Sequence, residues 1–415
     1  MKYWFFIIFQ AALFLPNALA EEFALRDGDT VAFLGDSITG ARGYSKIIEN
    51  YTLLRFPERK IRFFNVGQGG ETAQGGLARL DEAVFARGAT VLTVAYGIND
   101  IGWGTKADAK HRAEFLAAIG SIIERCKAKG VRIFICSAAI TAEAPDVAEH
   151  QFLQSMCDEG LALAKAKGAG TIDVQRGMRA VQRRVMAANE SKPDQSKHDS
   201  LHTADGIHLN DLGQMAMAVT ILKGLGAPAE VSAAAIHAQD GTVSLARDCS
   251  ITAVASSDAE LTFTRLDRRL PLNLQPLWML HGFFIPIGEE LNRYDLAITH
   301  LKPGRYAVLA SGRKLGTWSA EQLAKGVNLA SASDEPWEPG GPWQAQGQLL
   351  KTLTDLRDEI DWAGRDLKKY LTAHPSLADL SAKTASMETA LTSLQRDLAR
   401  PVPTDFVVRR DPAGQ

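Results

Sequence analysis

Thr30-Val31-Ala32-Phe33-Leu34-Gly35-Asp36-Ser37-Ile38-Thr39 is the stretch that decides the fold. Thr30–Leu34 is a compact apolar run, of strand length and bounded by a turn signal. A strand apolar on both faces belongs inside a sheet covered on both sides. The chain leaves it through Gly35-Asp36-Ser37, which places a serine at the carboxyl end of a strand, where open α/β sheets bind ligands. Thr39 separates the motif from the Gly-x-Ser-x-Gly elbow. Taken alone, Gly-Asp-Ser is an ordinary turn and helix cap.

The same alternation continues outward. Tyr44–Phe56 has helical spacing through Ile47, Ile48, Tyr51 and Leu54. Ile61–Val66 and Thr90–Ala95 read as strands, and His111–Lys129 as a long helix. Val131–Ser137 is a fourth strand, Val147 to Lys167 a helix and Thr171–Val174 a short fifth strand. Strands regularly alternating with helices predict a parallel sheet in a three-layer α/β/α unit over residues 21–226. Past Gly226 the pattern changes. Residues 227–330 read as a β-rich accessory segment. Tyr294–Thr299, the turn Lys302-Pro303-Gly304 and Tyr306–Leu309 suggest a hairpin, and Ser319 with Gln322 suggests a capping box. Leu270–Ile287 is an unusually apolar loop. Residues 331–415 read as a linker followed by two antiparallel helices, Trp343–Thr372 and Leu377–Ala399, whose charged residues form a solvated face.

Three further segments bear on chemistry. Asn65-Val66-Gly67-Gln68-Gly69-Gly70-Glu71-Thr72 follows the second strand, and its glycines let backbone N–H groups approach a ligand. It lacks the Gly-Lys-Ser/Thr of a phosphate loop and the glycine spacing of a dinucleotide fingerprint. Gly97-Ile98-Asn99-Asp100 follows the third strand, and an Asn amide there can donate to a developing oxyanion. Asp205-Gly206-Ile207-His208 precedes a helix beginning near Asp211. Its spacing lets a carboxylate hold one imidazole nitrogen while the other faces a nucleophile. Each segment alone is compatible with a plain turn.

Together, in this order and at these spacings, Gly35-Asp36-Ser37, the glycine loop, Gly97-Ile98-Asn99-Asp100 and Asp205-Gly206-Ile207-His208 resemble the four signature blocks of the SGNH (GDSL-like) hydrolases. The resemblance covers roughly Phe23–Gly226. It implies a flavodoxin-like fold with strand order 2-1-3-4-5 and the activity of a carboxylic ester hydrolase. It implies Ser37 as nucleophile, His208 as base and Asp205 as the group orienting His208. The implied oxyanion donors are the Ser37 N–H, the Gly70 N–H and the Asn99 side chain. Gly70 precedes Glu71-Thr72, where the family often has Gly-Asp-Thr; Gly67 and Gly69 are rivals for that role. The chemistry needs neither a metal nor another cofactor.

The composition bounds the partners. The 415 residues are too many for one ordinary core. The formal charge of −2 shows no basic excess of the kind that nucleic acid attracts. Lys2, the apolar run Trp4–Leu15 and Ala18-Leu19-Ala20 read as a secretory signal over residues 1–20, cut before Glu21. The run is shorter than the roughly 20 residues a span requires, so no stable membrane span is expected after cleavage. The expected location is periplasmic or extracellular. Cys126, Cys136, Cys157 and Cys249 allow three pairings, and the apolar surroundings of Cys126 and Cys136 favour buried free thiols. The substrate implied by the resemblance, for an exported protein, is a small acyl ester, foremost an acetyl group on a polysaccharide. Trp103, just past Asn99-Asp100, offers a flat apolar ring for a sugar. A lysophospholipase or thioesterase, an acyltransferase and a non-catalytic envelope carbohydrate-binding protein are the competing readings.

Overall fold

The computed structural model describes residues 23–273, 280–335, 337–371 and 373–411. The expected signal segment lies outside the described residues, as do six residues of the apolar loop. Five parallel strands form the first sheet: β1 (Thr30–Gly35), β2 (Arg62–Asn65), β3 (Val91–Ala95), β4 (Arg132–Cys136) and β5 (Gly170–Ile172). Their order is β2-β1-β3-β4-β5.

The alternation within β1 sorts its side chains into two cores. Val31 and Phe33 face one hydrophobic cluster, and Ala32 and Leu34 face the other. Before β2, Ser37 opens a one-turn helix α1 (Ser37–Gly40), followed by α2 (Gly43–Arg55). Helices α3 (Ala73–Ala78), α4 (Ala109–Ala128) and α5 (Phe152–Ala166) cover the Ala32 face. Helix α2 covers the Phe33 face together with α6 (Val174–Glu190) and α7 (Asp211–Gly224). With both faces dry, the strands are as uniformly apolar as the opening stretch indicates.

Several elements differ from expectation. The helix expected over 147–167 is two pieces, the single turn Pro145–Ala148 and α5, with a fresh start after Gln151. Val174 does not end a strand. Asp173 caps Arg176 N–H and turns the chain into α6 at that residue.

The second half forms two further sheets. The four-stranded one has the order β13-β10-β6-β7 and contains β6 (Glu230–His237), β7 (Val243–Arg247), β10 (Arg293–Thr299) and β13 (Val327–Asn328). The five-stranded one, in the order β12-β11-β14-β9-β8, contains β8 (Cys249–Ser256), β9 (Glu260–Asp267), β11 (Arg305–Ala310), β12 (Arg313–Ser319) and β14 (Thr404–Arg410). The hairpin expected across Lys302-Pro303-Gly304 therefore does not form. β10 pairs in parallel with β6, whereas β11 pairs with β12 and β14 in the other sheet. Alternation marks each strand's buried face but not its partner.

Fully buried Arg265 of β9 bridges the two sheets, donating to Ser232 of β6 and to Asp267. Trp343 inserts between Tyr294 and Phe406, with ring centroids 5.0 and 6.1 Å away. The expected capping box at Ser319 is present and starts α8 (Ala320–Lys325). Among the described residues the four cysteines are free thiols, three of them buried.

Helices α9 (Pro342–Tyr370) and α10 (Ala378–Leu398) form the C-terminal pair. Their charged residues are not all solvated. Arg357 and Asp358 are buried. Arg357 donates to Glu49 Oε2 at 2.6 Å and to the Phe63 carbonyl at 2.9 Å, which pins α9 to α2 and β2.

Candidate active site

The site sits at the carboxyl edge of the first sheet. The N–H of Ile38 is held by Asp36, the N-cap of α1, at 2.9 Å. Ser37 is the first residue of that turn, where N–H groups lack intrahelical acceptors and point outward. Asn65 braces the next loop. Its side chain donates to the Thr39 carbonyl and to Ser45 Oγ and accepts from Gly67 N–H. A Cβ on Gly67 would stand 2.3 Å from the Gly40 nitrogen, so the loop after β2 lies directly on α1. This packing and the spent N–H make Gly67 a structural residue. Gly69 and Gly70 are exposed, with open space where a Cβ would stand, and Gly70 has φ +71°. Among the described residues neither N–H has a protein acceptor.

The register places Gly35 beside Ala95, so the loop after β3 adjoins Ser37. There Asn99 donates its amide to the Glu71 carbonyl at 3.1 Å, on the loop that carries Gly70. Asn99 Oδ1 accepts the Trp103 indole N–H at 2.9 Å. The Glu that stands where the family often has Asp holds Arg79 at 2.6 Å and accepts the Tyr96 hydroxyl. Asp100 accepts the Ala73 N–H at 2.9 Å. Burial pushes both Asp36 and Asp100 up to about 6.

Ser37 Oγ lies 2.9 Å from His208 Nε2, and His208 Nδ1 lies 2.5 Å from Asp205 Oδ2. The other Asp205 oxygen accepts from Ile207 N–H, His208 N–H and Thr203 Oγ1, each at 2.9 Å. The His208 hydrogen bond and these donors hold the Asp205 carboxyl well below the usual range, so it stays ionised at neutral pH. Gly206 (φ +70°) makes the turn and anchors it, since its carbonyl accepts the Ala142 N–H from the loop after β4. Asn210 then caps α7 through Gly213 N–H.

The structure thus brings Ser37, Asp205 and His208 into one relay and sets Asn99 against the Gly70 loop. Sequence reasoning missed the brace at Asn65 and the link from Trp103 to Asn99. The Asn65 brace depends on contacts with Thr39, Ser45 and Gly67 that only the folded loops create. Among the described residues no group of His, Cys, Asp or Glu is placed to hold a metal ion, and no helix is long and apolar enough to cross a membrane.

Sheet order and signature blocks are those of the SGNH-type α/β hydrolase fold. Residues 33–216 match the GDSL-like Lipase/Acylhydrolase family model, and this domain is that of a hydrolase of ester bonds. Nothing among curated proteins matches the chain. Among solved structures, a gut microbial diltiazem-metabolizing enzyme is similar over 93% of this chain and 98% of its own, at 23% identity and a TM-score of 0.78. Its fold therefore extends to the segments after residue 226. An acetylxylan esterase from Geobacillus stearothermophilus is similar over 49% of this chain and 96% of its own, at 21% identity and a TM-score of 0.41.

Proposed function

We propose that the protein is an exported serine esterase that removes a small acyl group, foremost acetyl, from a carbohydrate through an acyl-enzyme on Ser37. The observation that carries this reading is the unbroken relay of Ser37 Oγ, His208 and Asp205 at 2.9 and 2.5 Å. A serine hydroxyl becomes a competent nucleophile when a positioned base takes its proton. His208 Nε2 takes it as Oγ attacks the ester carbonyl, and Asp205 holds the imidazole tautomer and stabilises the imidazolium. The carbonyl oxygen becomes an oxyanion facing the Ser37 N–H, the Gly70 N–H and the Asn99 amide. The protonated His208 then gives its proton to the leaving sugar oxygen. In the second half, water attacks the acyl-Ser37 ester with His208 again as base.

A short acyl group fits a site whose Ser37 and His208 are only half-buried and whose glycine loop is exposed. A sugar leaving group fits the indole of Trp103, which is 55% exposed and lies 6.0 Å from the His208 ring. Two described points of the apolar loop are tied to other surfaces, while Phe283 is exposed. Leu270 N–H donates to the Leu54 carbonyl, and the Phe284 carbonyl accepts from Arg184. Export is supported by the apolar run Trp4–Leu15 followed by Ala18-Leu19-Ala20.

The test is hydrolysis of p-nitrophenyl esters from acetate to decanoate by the wild type and by Ser37→Ala. Highest activity on acetate, abolished in Ser37→Ala, is the expected outcome. A Ser37-dependent preference for long chains would replace the carbohydrate ester with a lipid one. Equal rates for the two proteins on every ester would exclude Ser37 as the nucleophile.

A further inference from the structure

We propose that Trp103 is a positioning residue that sets the orientation of the oxyanion donor Asn99; this rests on the esterase reading above. Three observations converge on it. The first is directional. The indole nitrogen can only donate, and the Glu71 carbonyl can only accept. Trp103 Nε1 therefore requires Asn99 Oδ1 on its side, at 2.9 Å, and Glu71 requires Asn99 Nδ2 on the other, at 3.1 Å. Both neighbours select the same one of the two amide orientations, and in it the second amide hydrogen is left for the substrate. The flipped orientation would present an oxygen to the developing oxyanion.

The second observation is conformational. Trp103 has φ +56° and ψ +34°, between Gly102 (φ +52°) and Gly104 (φ +94°). A bulky side chain in the left-handed region is a strained choice, and such strain persists where its surroundings enforce it. Trp103 N–H donates to the Ile98 carbonyl at 3.0 Å, and Gly104 N–H to the Ile101 carbonyl at 3.0 Å. The turn curls back on the loop carrying Asn99 and so aims the indole N–H at its amide. The third observation is the price of the arrangement in surface chemistry: the large apolar ring stays 55% exposed, where packing would favour burial. Its edge meets the His208 ring at a centroid distance of 6.0 Å and an interplanar angle of 77°. One side chain thus meets both the oxyanion donor and the base.

A double-mutant cycle on p-nitrophenyl acetate decides the matter. Trp103→Phe keeps a ring and deletes only the N–H donor. It is expected to lower kcat roughly fivefold, the order set by one neutral hydrogen bond, with KM changed less than about twofold. In an Asn99→Ala background the same substitution is expected to lower kcat less than about twofold, because the group it positions is gone. Equal fold-losses in the two backgrounds, or an unchanged kcat for Trp103→Phe, would overturn the proposal. If Trp103→Phe does not fold by thermal melting, the cycle is repeated with Trp103→Leu and read in the same way. Ser37→Ala is measured alongside. If it retains full activity, the failure lies with the esterase reading; if it is inactive and the cycle is additive, the failure lies with Trp103.

Discussion

Asn99 stands at the carboxyl end of β3 with one amide hydrogen on Glu71 and its oxygen on Trp103. Its removal deletes a preorganised donor, so Asn99→Ala is expected to lower kcat by about 10²–10³ with little change in KM; steady-state kinetics on p-nitrophenyl acetate checks this. Asp100, the next residue, has a different role. Burial raises its folded pKa to about 6 from 3.8. Its contribution to stability is therefore full below about pH 4 and is lost as pH rises through 6. Asp100→Asn, which cannot ionise, is expected to shrink the difference in Tm between pH 5 and pH 7; an unchanged difference in thermal melts would contradict this. Ser37, Asp205, His208 and Asn99 were legible through the order of the four blocks that resemble the family's signature, since each block alone reads as an ordinary turn. The Trp103 bond was not, because it requires a left-handed turn at a tryptophan, which no propensity suggests.

Loops and helices carry the next scale. The loop after β2 lies on α1 so closely that Gly67 has no room for a methyl group, whereas Gly70 has room but a left-handed φ. Gly67→Ala is expected to force the two backbones apart and cost about 1–3 kcal/mol or more. Gly70→Ala costs about 1–2 kcal/mol through its φ alone and leaves the packing intact. Urea titration of the two variants orders them, and a Gly70→Ala protein less stable than Gly67→Ala would contradict the packing account. The sequence made the sheet visible because its strands are apolar on both faces. It hid α6 behind a short strand ending in a valine, although Val174, Met178, Val181 and Val185 follow a helical stripe and are buried. Asp173, acting as a cap, ends the strand at Ile172, two residues early. The paired sheets were harder to foresee. β10 and β11 are neighbours in the chain but belong to different sheets, and β14 enters between β9 and β11 from the far end of the chain.

At the scale of the molecule, the two halves share polar anchors buried along α2. Arg55 donates to the carbonyls of Glu230 and Leu291 at 2.6 and 2.7 Å. Thr354 and Gln395 of the terminal helices meet Asn50 and Glu49 at 2.6 and 3.0 Å. Periodicity shows that a helix has a polar face, not that another helix will cover it, so Arg357 read as solvated while it is buried against Glu49. Arg357→Ala leaves that carboxylate buried without its cation, and a loss of about 3–5 kcal/mol in chemical denaturation is expected. The proposed chemistry rests on Ser37 as the nucleophile. The most direct test of that claim is the site of covalent labelling by a p-nitrophenyl alkylphosphonate, read by intact mass and peptide mapping. A single adduct on Ser37, absent from Ser37→Ala and formed far more slowly in His208→Ala, is the predicted result. Continued ester turnover with Ser37 unlabelled, or an adduct on another residue that accounts for the loss of activity, would contradict it.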